Sequence, residues 1–349
     1  MSEEKAAYKC GGCGGEVQYD VKAQKFLCVA CRAEYIPETE SAVVTEKDFN
    51  IQKLLVSSTE LSDVKSAVCA SCGSELFFPA NETAARCPMC GAAQLRAGAG
   101  RALIRPDGIV PFRVDAQDAQ SGFRKYISKR FFAPSALKSA FEEGRLAGWY
   151  MPFWTFDAAA HGTYTGEGGK SVKVMRDGKE TFETQWFPVR GALGRSFDDV
   201  LVCAASESGK KMTENLRYDT AAVKPYSSQY LQGYLAEYRS IEASAAFETA
   251  KQTMELALEQ DAKQDIRREY TSERGVRVSA RFTDVTCKSL LLPLYRASYS
   301  YKGKLYDYII NGQTGDVAAR YPKSALKILL TILLIAALIA GVVLLTKLR

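Results

Sequence analysis

Cys10-Gly-Gly-Cys13, followed by Cys28-Val-Ala-Cys31, and Cys69-Ala-Ser-Cys72, followed by Cys87-Pro-Met-Cys90, decide how the N-terminal third of the chain reads. Both units are C-x2-C-x14-C-x2-C, and the identical spacing marks one unit used twice. In each, the first pair runs on as Cys-Gly-(Gly/Ser)-Glu, at Cys13 to Glu16 and Cys72 to Glu75, and the second unit closes on Cys90-Gly91. Two thiolates two residues apart sit on one tight turn and face one ion, so two such turns complete a tetrahedral four-sulfur shell. Glycine after a knuckle cysteine tolerates the backbone angles the turn needs. Soft thiolates in this geometry favour zinc, with iron left open as a competitor. Four protein ligands leave no open position, so both ions are expected to be structural. A redox C-x-x-C needs no second pair fourteen residues on.

Outward from the cysteines, the chain divides by composition. Of 349 residues, 47% are hydrophobic and 25% charged, ordinary values for a folded protein, and the length suits two or three domains. Residues 1–100 hold 10 Lys and Arg against 13 Asp and Glu, a net charge of −3, while the remainder holds 36 against 27, or +9. A phosphate-binding surface wants clustered Lys and Arg. The acidic cysteine region lacks them, which favours protein contact or a folding staple over nucleic acid. MSEEKAAYKC has no basic segment leading into an apolar one, so no secretory signal is expected, and the paired cysteines read as metal thiolates in a reducing compartment. Cys203 and Cys287 lie far apart in apolar runs and read as buried thiols.

At the other end, residues 328–346, ILLTILLIAALIAGVVLLT, run nineteen residues without a charge. As a helix this spans about 28 Å, close to a bilayer's hydrocarbon core, and a buried core helix of that length would keep a polar face. Arg320, Lys323 and Lys327 flank one end and Lys347 and Arg349 the other, so charge alone does not orient it. The short tail and the large unexported domain before it predict a single-pass, tail-anchored chain with its N-terminal domains cytoplasmic.

Between ribbons and membrane helix the patterns are mixed. Asp115 is a candidate N-cap for a helix over 115–130, with Phe123, Tyr126 and Ile127 on one face, and 134–143 reads as a shorter helix. Strands are expected at 147–155, 182–189 and 200–204, and later at 276–285, 290–301 and 305–310, with hairpin turns at Lys302-Gly303 and Asn311-Gly312. Residues 243–270 form an amphipathic helix with Phe247, Ala250, Met254, Ala257 and Leu258 as its apolar stripe, read as core packing. Phe49, Ile51, Leu54 and Leu55 suggest a short helix or loop, and 96–101 a flexible hinge. The echo of Trp149-Tyr-Met-Pro-Phe-Trp in Leu290-Leu-Leu-Pro-Leu-Tyr leaves open two duplicated halves. The fold expected is α+β: zinc ribbon 1 (1–35), a linker (36–66), zinc ribbon 2 (67–96), a mixed α/antiparallel-β domain (97–322) and a transmembrane anchor (323–349).

Catalytic signatures fall away on inspection. The single histidine, His161, excludes two-histidine metal motifs and reads as a strand-end residue beside a hairpin. Gly166-Glu-Gly-Gly-Lys170-Ser171 ends like a phosphate loop, but Tyr164 stands where the motif needs glycine, so it reads as a glycine-rich turn. Asp198 and Asp199 could pair as metal or acid–base carboxylates, but adjacent residues on a strand point to opposite faces, so they read as a turn or cap before the apolar strand. The basic run from Arg124 to Arg130 reads equally as a solvated face or a contact for anionic lipid. No enzyme is expected.

Several phrases together carry a family resemblance: Asp107-Gly-Ile-Val-Pro-Phe112, Phe132-Ala-Pro134, Tyr150-Met-Pro-Phe-Trp-Thr-Phe-Asp157, Ser196-Phe-Asp-Asp199 and Asn311-Gly-Gln-Thr-Gly315. With a ribbon ahead of them, they resemble the YdjG-like membrane-linked zinc-ribbon proteins of bacteria, over roughly residues 69–322. Members are often labelled primosomal protein N′ or superfamily II helicase, but this chain lacks the Walker motifs of a helicase. The resemblance implies a cytoplasmic adaptor at the membrane, associated with phage-shock or envelope-stress proteins, and no catalytic residues carry over. The leading expectation is therefore a membrane-tethered adaptor whose partners are the lipid bilayer and cytosolic or membrane stress-response proteins, self-association remaining open. The alternative is a membrane-anchored nucleic-acid-binding protein.

Overall fold

The computed structural model describes residues 9–37, 43–49, 64–71, 73–79, 87, 92–98, 104–134, 146–176, 179–205, 213, 216–301, 304–319 and 321–347. Three short strands form around the first cysteine unit: β1 (Val17–Asp20), β2 (Lys25–Cys28) and β3 (Glu34–Tyr35). They pair antiparallel in the order β1-β2-β3, with Val17, Phe26 and Cys28 turned into the core. A two-residue strand β4 (Lys47–Asp48) follows, then β5 (Val64–Cys69), β6 (Glu75–Pro79) and β7 (Leu95–Ala97) around the second unit. These are antiparallel too, but they belong to the large sheet, not to a sheet of their own.

That twelve-stranded sheet is built on three long strands: β9 (Ala147–Arg176), β10 (Lys179–Cys203) and β13 (Ser272–Tyr301). Its short members are β8 (Gly108–Ile109), β11 (Lys224–Pro225), β12 (Leu235–Glu237), β14 (Lys304–Asn311) and β15 (Val317–Ala319). The order runs β11-β8-β13-β9-β12-β6-β5-β7, with β10 on β9, β4 and β14 on β13, and β15 on β14. Thirty residues at about 3.3 Å each make β9 roughly 100 Å long. The expected strands at 182–189 and 200–204 are parts of one, β10. Gly166 to Ser171 is strand, not turn, opposite Val189 to Thr184 of β10. Its glycines serve close packing: a Cβ on Gly168 would collide with the Tyr270 ring. His161 lies mid-strand, opposite Gly194 and Arg281.

Helix α1 (Ala116–Ser128) starts where Asp115 accepts a hydrogen bond from the Asp118 amide at 2.7 Å, the expected cap. It buries Ala119, Phe123 and Ile127, and the Phe123 ring stacks on Tyr308. Helix α2 (Ala243–Ile266) lies along the long strands and buries Ala243, Ala246, Ala250, Met254, Leu258, Ala262 and Ile266, one seam at three- and four-residue spacing. Its alanines allow close approach to Trp154, Phe156, Ala158 and Ala160, the alternate residues of one face of β9. Helix α3 (Ala325–Lys347) is apolar along nearly its whole length, with a mean hydropathy of 3.2 over its most apolar eighteen residues, long and apolar enough to cross a membrane. The helix expected over 134–143 and the apolar positions Ile51, Leu54 and Leu55 lie almost wholly outside the described residues. Phe49 packs against Phe156 and Phe247.

The two proline-centred phrases meet across the sheet: Trp149 faces Leu294, Tyr150 faces Pro293 and Pro152 faces Leu291. Around that pair the connections repeat. β8 runs parallel to β13 and leads through α1 to β9 and β10, while β12 runs parallel to β9 and leads through α2 to β13 and β14.

Candidate metal centre

Each knuckle is shaped by its backbone before any metal is considered. The Cys10 amide donates to the Gly15 carbonyl, and the same five-residue step recurs at Cys28 to Ala33, Cys69 to Ser74 and Cys87 to Ala92, at 2.7–3.0 Å. Among the described residues a second bond closes back on the cysteine carbonyl, from Gly14 to Cys10, Arg32 to Cys28 and Gly73 to Cys69. The donors of those bonds have φ of 71°, 61° and 73°, the left-handed region that explains two of the three being glycine.

The first unit brings its four sulfurs together: Cys10, Cys13, Cys28 and Cys31 offer ligand atoms within 4.8 Å of one another. Cys10 Sγ lies 3.6 Å from Cys31 Sγ, and Cys13 Sγ 3.4 Å from Cys28 Sγ. A disulfide needs about 2.05 Å. Four sulfurs about 2.3 Å from one central ion stand about 3.8 Å apart, so the arrangement suits a tetrahedral ion. The thiols divide sharply among themselves. Backbone amides of Cys31 and Ala30 draw the Cys28 thiol down to about 6 against its burial, whereas Cys13, despite the Gly15 amide, is pushed up to about 12 by its thiol neighbours. Four thiolates cannot share this space uncompensated; a dication removes the conflict. Gly15 is part of the cradle, since a Cβ there would meet Cys28 Sγ at 3.0 Å and Cys13 Sγ at 3.3 Å.

In the second unit Cys69 and Cys87 are buried at 1% exposure and pack with Leu76, Trp149 and Met151, while Cys72 and Cys90 lie outside the described residues. Cys203 and Cys287 are buried as expected; Cys203 Sγ contacts Met151 Sδ at 3.6 Å, and burial pushes the Cys287 thiol up to about 12.

A second group was missed in the sequence. Glu46, Asp157, Asp198 and Asp199 offer carboxylate oxygens within 4.8 Å of one another. The rule that adjacent strand residues diverge fails because β10 bulges between Phe197 and Val200, with Asp199 at φ 50°. β13 bulges too, between Thr283 and Thr286, with Asp284 at φ 51°. Asp157, on β9 between these irregularities, accepts from the Asp199 amide at 2.7 Å. Lys288 lies among the acids, its Nζ 2.7 Å from Glu46 and 2.9 Å from Asp199, and the Thr286 hydroxyl donates to Glu46. Burial, then the neighbouring Glu46, hold Asp157 up to about 7. Burial works against ionising Glu46 as well, but hydrogen bonds from Asp157, Lys288 and Thr286 outweigh it and bring Glu46 down to about 2. The two carboxyls are thus driven in opposite directions beside a lysine, Asp157 toward its neutral form and Glu46 toward its ionised one. The readable signal was the Asp198-Asp199 doublet, since aspartate tolerates left-handed backbone better than most residues.

No protein-family model matches the chain. The chain is similar to a Bacillus subtilis (strain 168) protein named "Uncharacterized protein YdjG", 24% identical over 226 residues, covering 64% of this chain and 66%, just under two thirds, of that relative. No solved structure matches.

Proposed function

We propose that the chain is a membrane-tethered zinc-ribbon adaptor. Cys10, Cys13, Cys28 and Cys31 hold one Zn2+, and Cys69, Cys72, Cys87 and Cys90 a second. Helix α3 crosses the bilayer once, with the ribbons and the α+β body on the cytoplasmic side, where a reducing solution keeps the thiolates available. The body recruits cytosolic or membrane proteins, of the envelope- or phage-shock-stress class that the family resemblance of its sequence phrases implies. The repeated β-α-β-β connection around the facing prolines supports an internally duplicated α+β body.

One observation carries the adaptor reading. The β9–β10 ribbon outruns the rest of the sheet: β13 stops pairing at Gly169, and beyond it Lys170–Arg176 and Lys179–Gln185 continue as a two-stranded arm. Along it Met175 and Phe182 are 69% and 73% exposed. Such an arm buries little of its own surface and offers open strand edges to a partner. Gentle crosslinking of the full-length protein in membranes, followed by mass spectrometry, should enrich membrane-scaffold or stress-response proteins, and Phe182→Asp should reduce that enrichment. A protein profile indistinguishable from control membranes would refute the reading.

Nucleic-acid binding is favoured by one feature. A cavity of about 430 Å³ between the first ribbon and the sheet is walled by Tyr19, Tyr35 and Tyr230 and edged by Lys25, Arg113 and Lys224. Aromatic faces beside cations suit stacked bases and phosphates. This reading requires salt-sensitive binding of DNA or RNA by the full-length protein, weakened by Arg113→Gln.

A further inference from the structure

We infer that the face made by the end of α1, residues 129–133 and the entry to α3 lies on the bilayer surface, with Phe131 inserted at the headgroup boundary and Lys125, Lys129, Arg130 and Lys323 set against anionic phospholipid. The inference rests on the reading of α3 as a membrane span and extends it to how the folded body is seated.

Three hydrogen bonds tie the entry of the apolar helix to this loop. The Ser324 amide donates to the Phe132 carbonyl at 2.8 Å, and Lys327 Nζ to the carbonyls of Phe131 and Ala133 at 3.1 and 2.7 Å. A lysine in the first turn of an apolar helix is costly in hydrocarbon unless its ammonium reaches polar partners. Here it reaches the body's own carbonyls, which places residues 131–133 at the depth where α3 enters the lipid. At that depth Phe131 is 66% exposed, edge-on to the Phe132 ring. Tyr126 and Tyr321 stand nearby, with the Arg130 guanidinium 4.2 Å from the Tyr126 ring and 6.0 Å from that of Tyr321. Rings with one wet and one apolar end are what membrane boundaries collect.

Charge completes the case for a lipid surface over a second copy or a soluble partner. Residues 119–134 carry four cations and no acid, and residues 317–327 carry Arg320, Lys323 and Lys327 and again no acid. Lys125 and Lys129 are one turn apart near the end of α1, and both are exposed, as is Lys323. Anionic headgroups attract such juxtamembrane cations, and the attraction fades within a Debye length.

The test uses full-length protein carrying an environment-sensitive fluorescent amino acid in place of Phe131 or, separately, of Leu338 in mid-α3. Each is reconstituted in nanodiscs of phosphatidylcholine with or without phosphatidylglycerol, using brominated acyl chains as quencher. Both probes should lose emission to bromine. The probe at 131 should also shift to the blue, with quenching that rises with phosphatidylglycerol and falls with added salt or with Lys125→Gln/Lys129→Gln. Quenching at 338 with a probe at 131 that stays open to aqueous iodide would overturn the seating while leaving the span intact. A probe at 131 shielded from bromine and iodide alike would mean that protein covers this face, and would also overturn it. Loss of quenching at both positions would remove the membrane reading itself.

Discussion

Replacing Lys288 by methionine tests the physics of the buried charge cluster. The substitution keeps an unbranched side chain on β13 but removes the ammonium that faces Glu46 at 2.7 Å and Asp199 at 2.9 Å. The side chains of Lys288, Asp199 and Glu46 are 12%, 15% and 27% exposed, so the acids lose their counter-charge in a largely dry place. Removing one partner of a fully buried pair costs about 3–5 kcal/mol; discounting for the solvent that reaches Glu46 leaves about 2 kcal/mol. The sign with pH follows from the two carboxyls. Glu46, held down to about 2, contributes stability that is present above its ordinary range and lost as pH falls toward 2. Asp157, held up to about 7, stays protonated in the folded chain while the unfolded chain ionises, so it favours folding in acid and loses that advantage between its ordinary range and pH 7. Without Lys288 both groups bind protons more tightly when folded, and the variant's deficit should be largest at pH 8 and shrink toward pH 5. Melts of the full chain in detergent, followed by tryptophan emission, should show a loss on the order of 5 °C at pH 8. A variant as stable as the parent at pH 8, or one whose deficit grows on acidification, would refute the reasoning.

The remaining predictions concern the metal units and one turn. Elemental analysis of purified protein should find two zinc ions per chain, and Cys28→Ser should reduce this to one while β1 to β3 lose protection from hydrogen exchange. Gly15→Ala places a methyl at 3.0 Å from Cys28 Sγ, so chelators should strip the first ion faster, the crowding amounting to about 1–3 kcal/mol. Asn311 is fully buried and bonds the Arg217 carbonyl at 2.6 Å and the amides of Gln313 and Thr314 at 2.7 and 3.1 Å. Asn311→Ala leaves these groups unsatisfied and should cost about 2–4 kcal/mol, read as a lowered melting temperature without loss of zinc.

What could be read in advance depended on how local the cause was. The cysteine turns were legible because each is closed by bonds within five residues, and spacing alone encodes them. Asp115 as a cap and the seam of α2 were legible for the same reason. The length of β9 was not: Gly162, Gly166, Gly168 and Gly169 look like turn residues until residues about a hundred positions on fill the space a side chain would take, Ala280 at Gly162, Val276 at Gly166, the Tyr270 ring at Gly168 and Ser272 at Gly169. The carboxyl cluster was not legible either. It needs Asp199 in left-handed backbone, and it brings Glu46 and Asp157 to the Asp198-Asp199 doublet, a doublet that does not point to either of them along the chain. Two phrases quoted for the family resemblance end on its members, Asp157 and Asp199, yet only the paired bulges bring them together.

The same cysteine motif is attached in two different ways, and this difference bears on what each unit can do. The second unit is part of the large sheet: Phe77 pairs with Ala236, and the Tyr238 amide donates to the Glu75 carbonyl. Loosening its turns must therefore disturb the strand beside Trp149. The first unit keeps a sheet of its own and is held by side chains, with Tyr19 and Phe26 against Tyr230, Gln24 on the Phe112 carbonyl at 2.9 Å, and Lys22 on Asp115 at 2.9 Å. Asp115 is also the cap of α1, whose far end leads into the loop that Ser324 and Lys327 grip. Thirteen residues of helix thus separate the first ribbon from the entry of α3, about 20 Å at the helical rise. An ion proposed for the second unit would stiffen the body, whereas the first unit is placed to present a surface a short, rigid distance from the bilayer that α3 is proposed to cross.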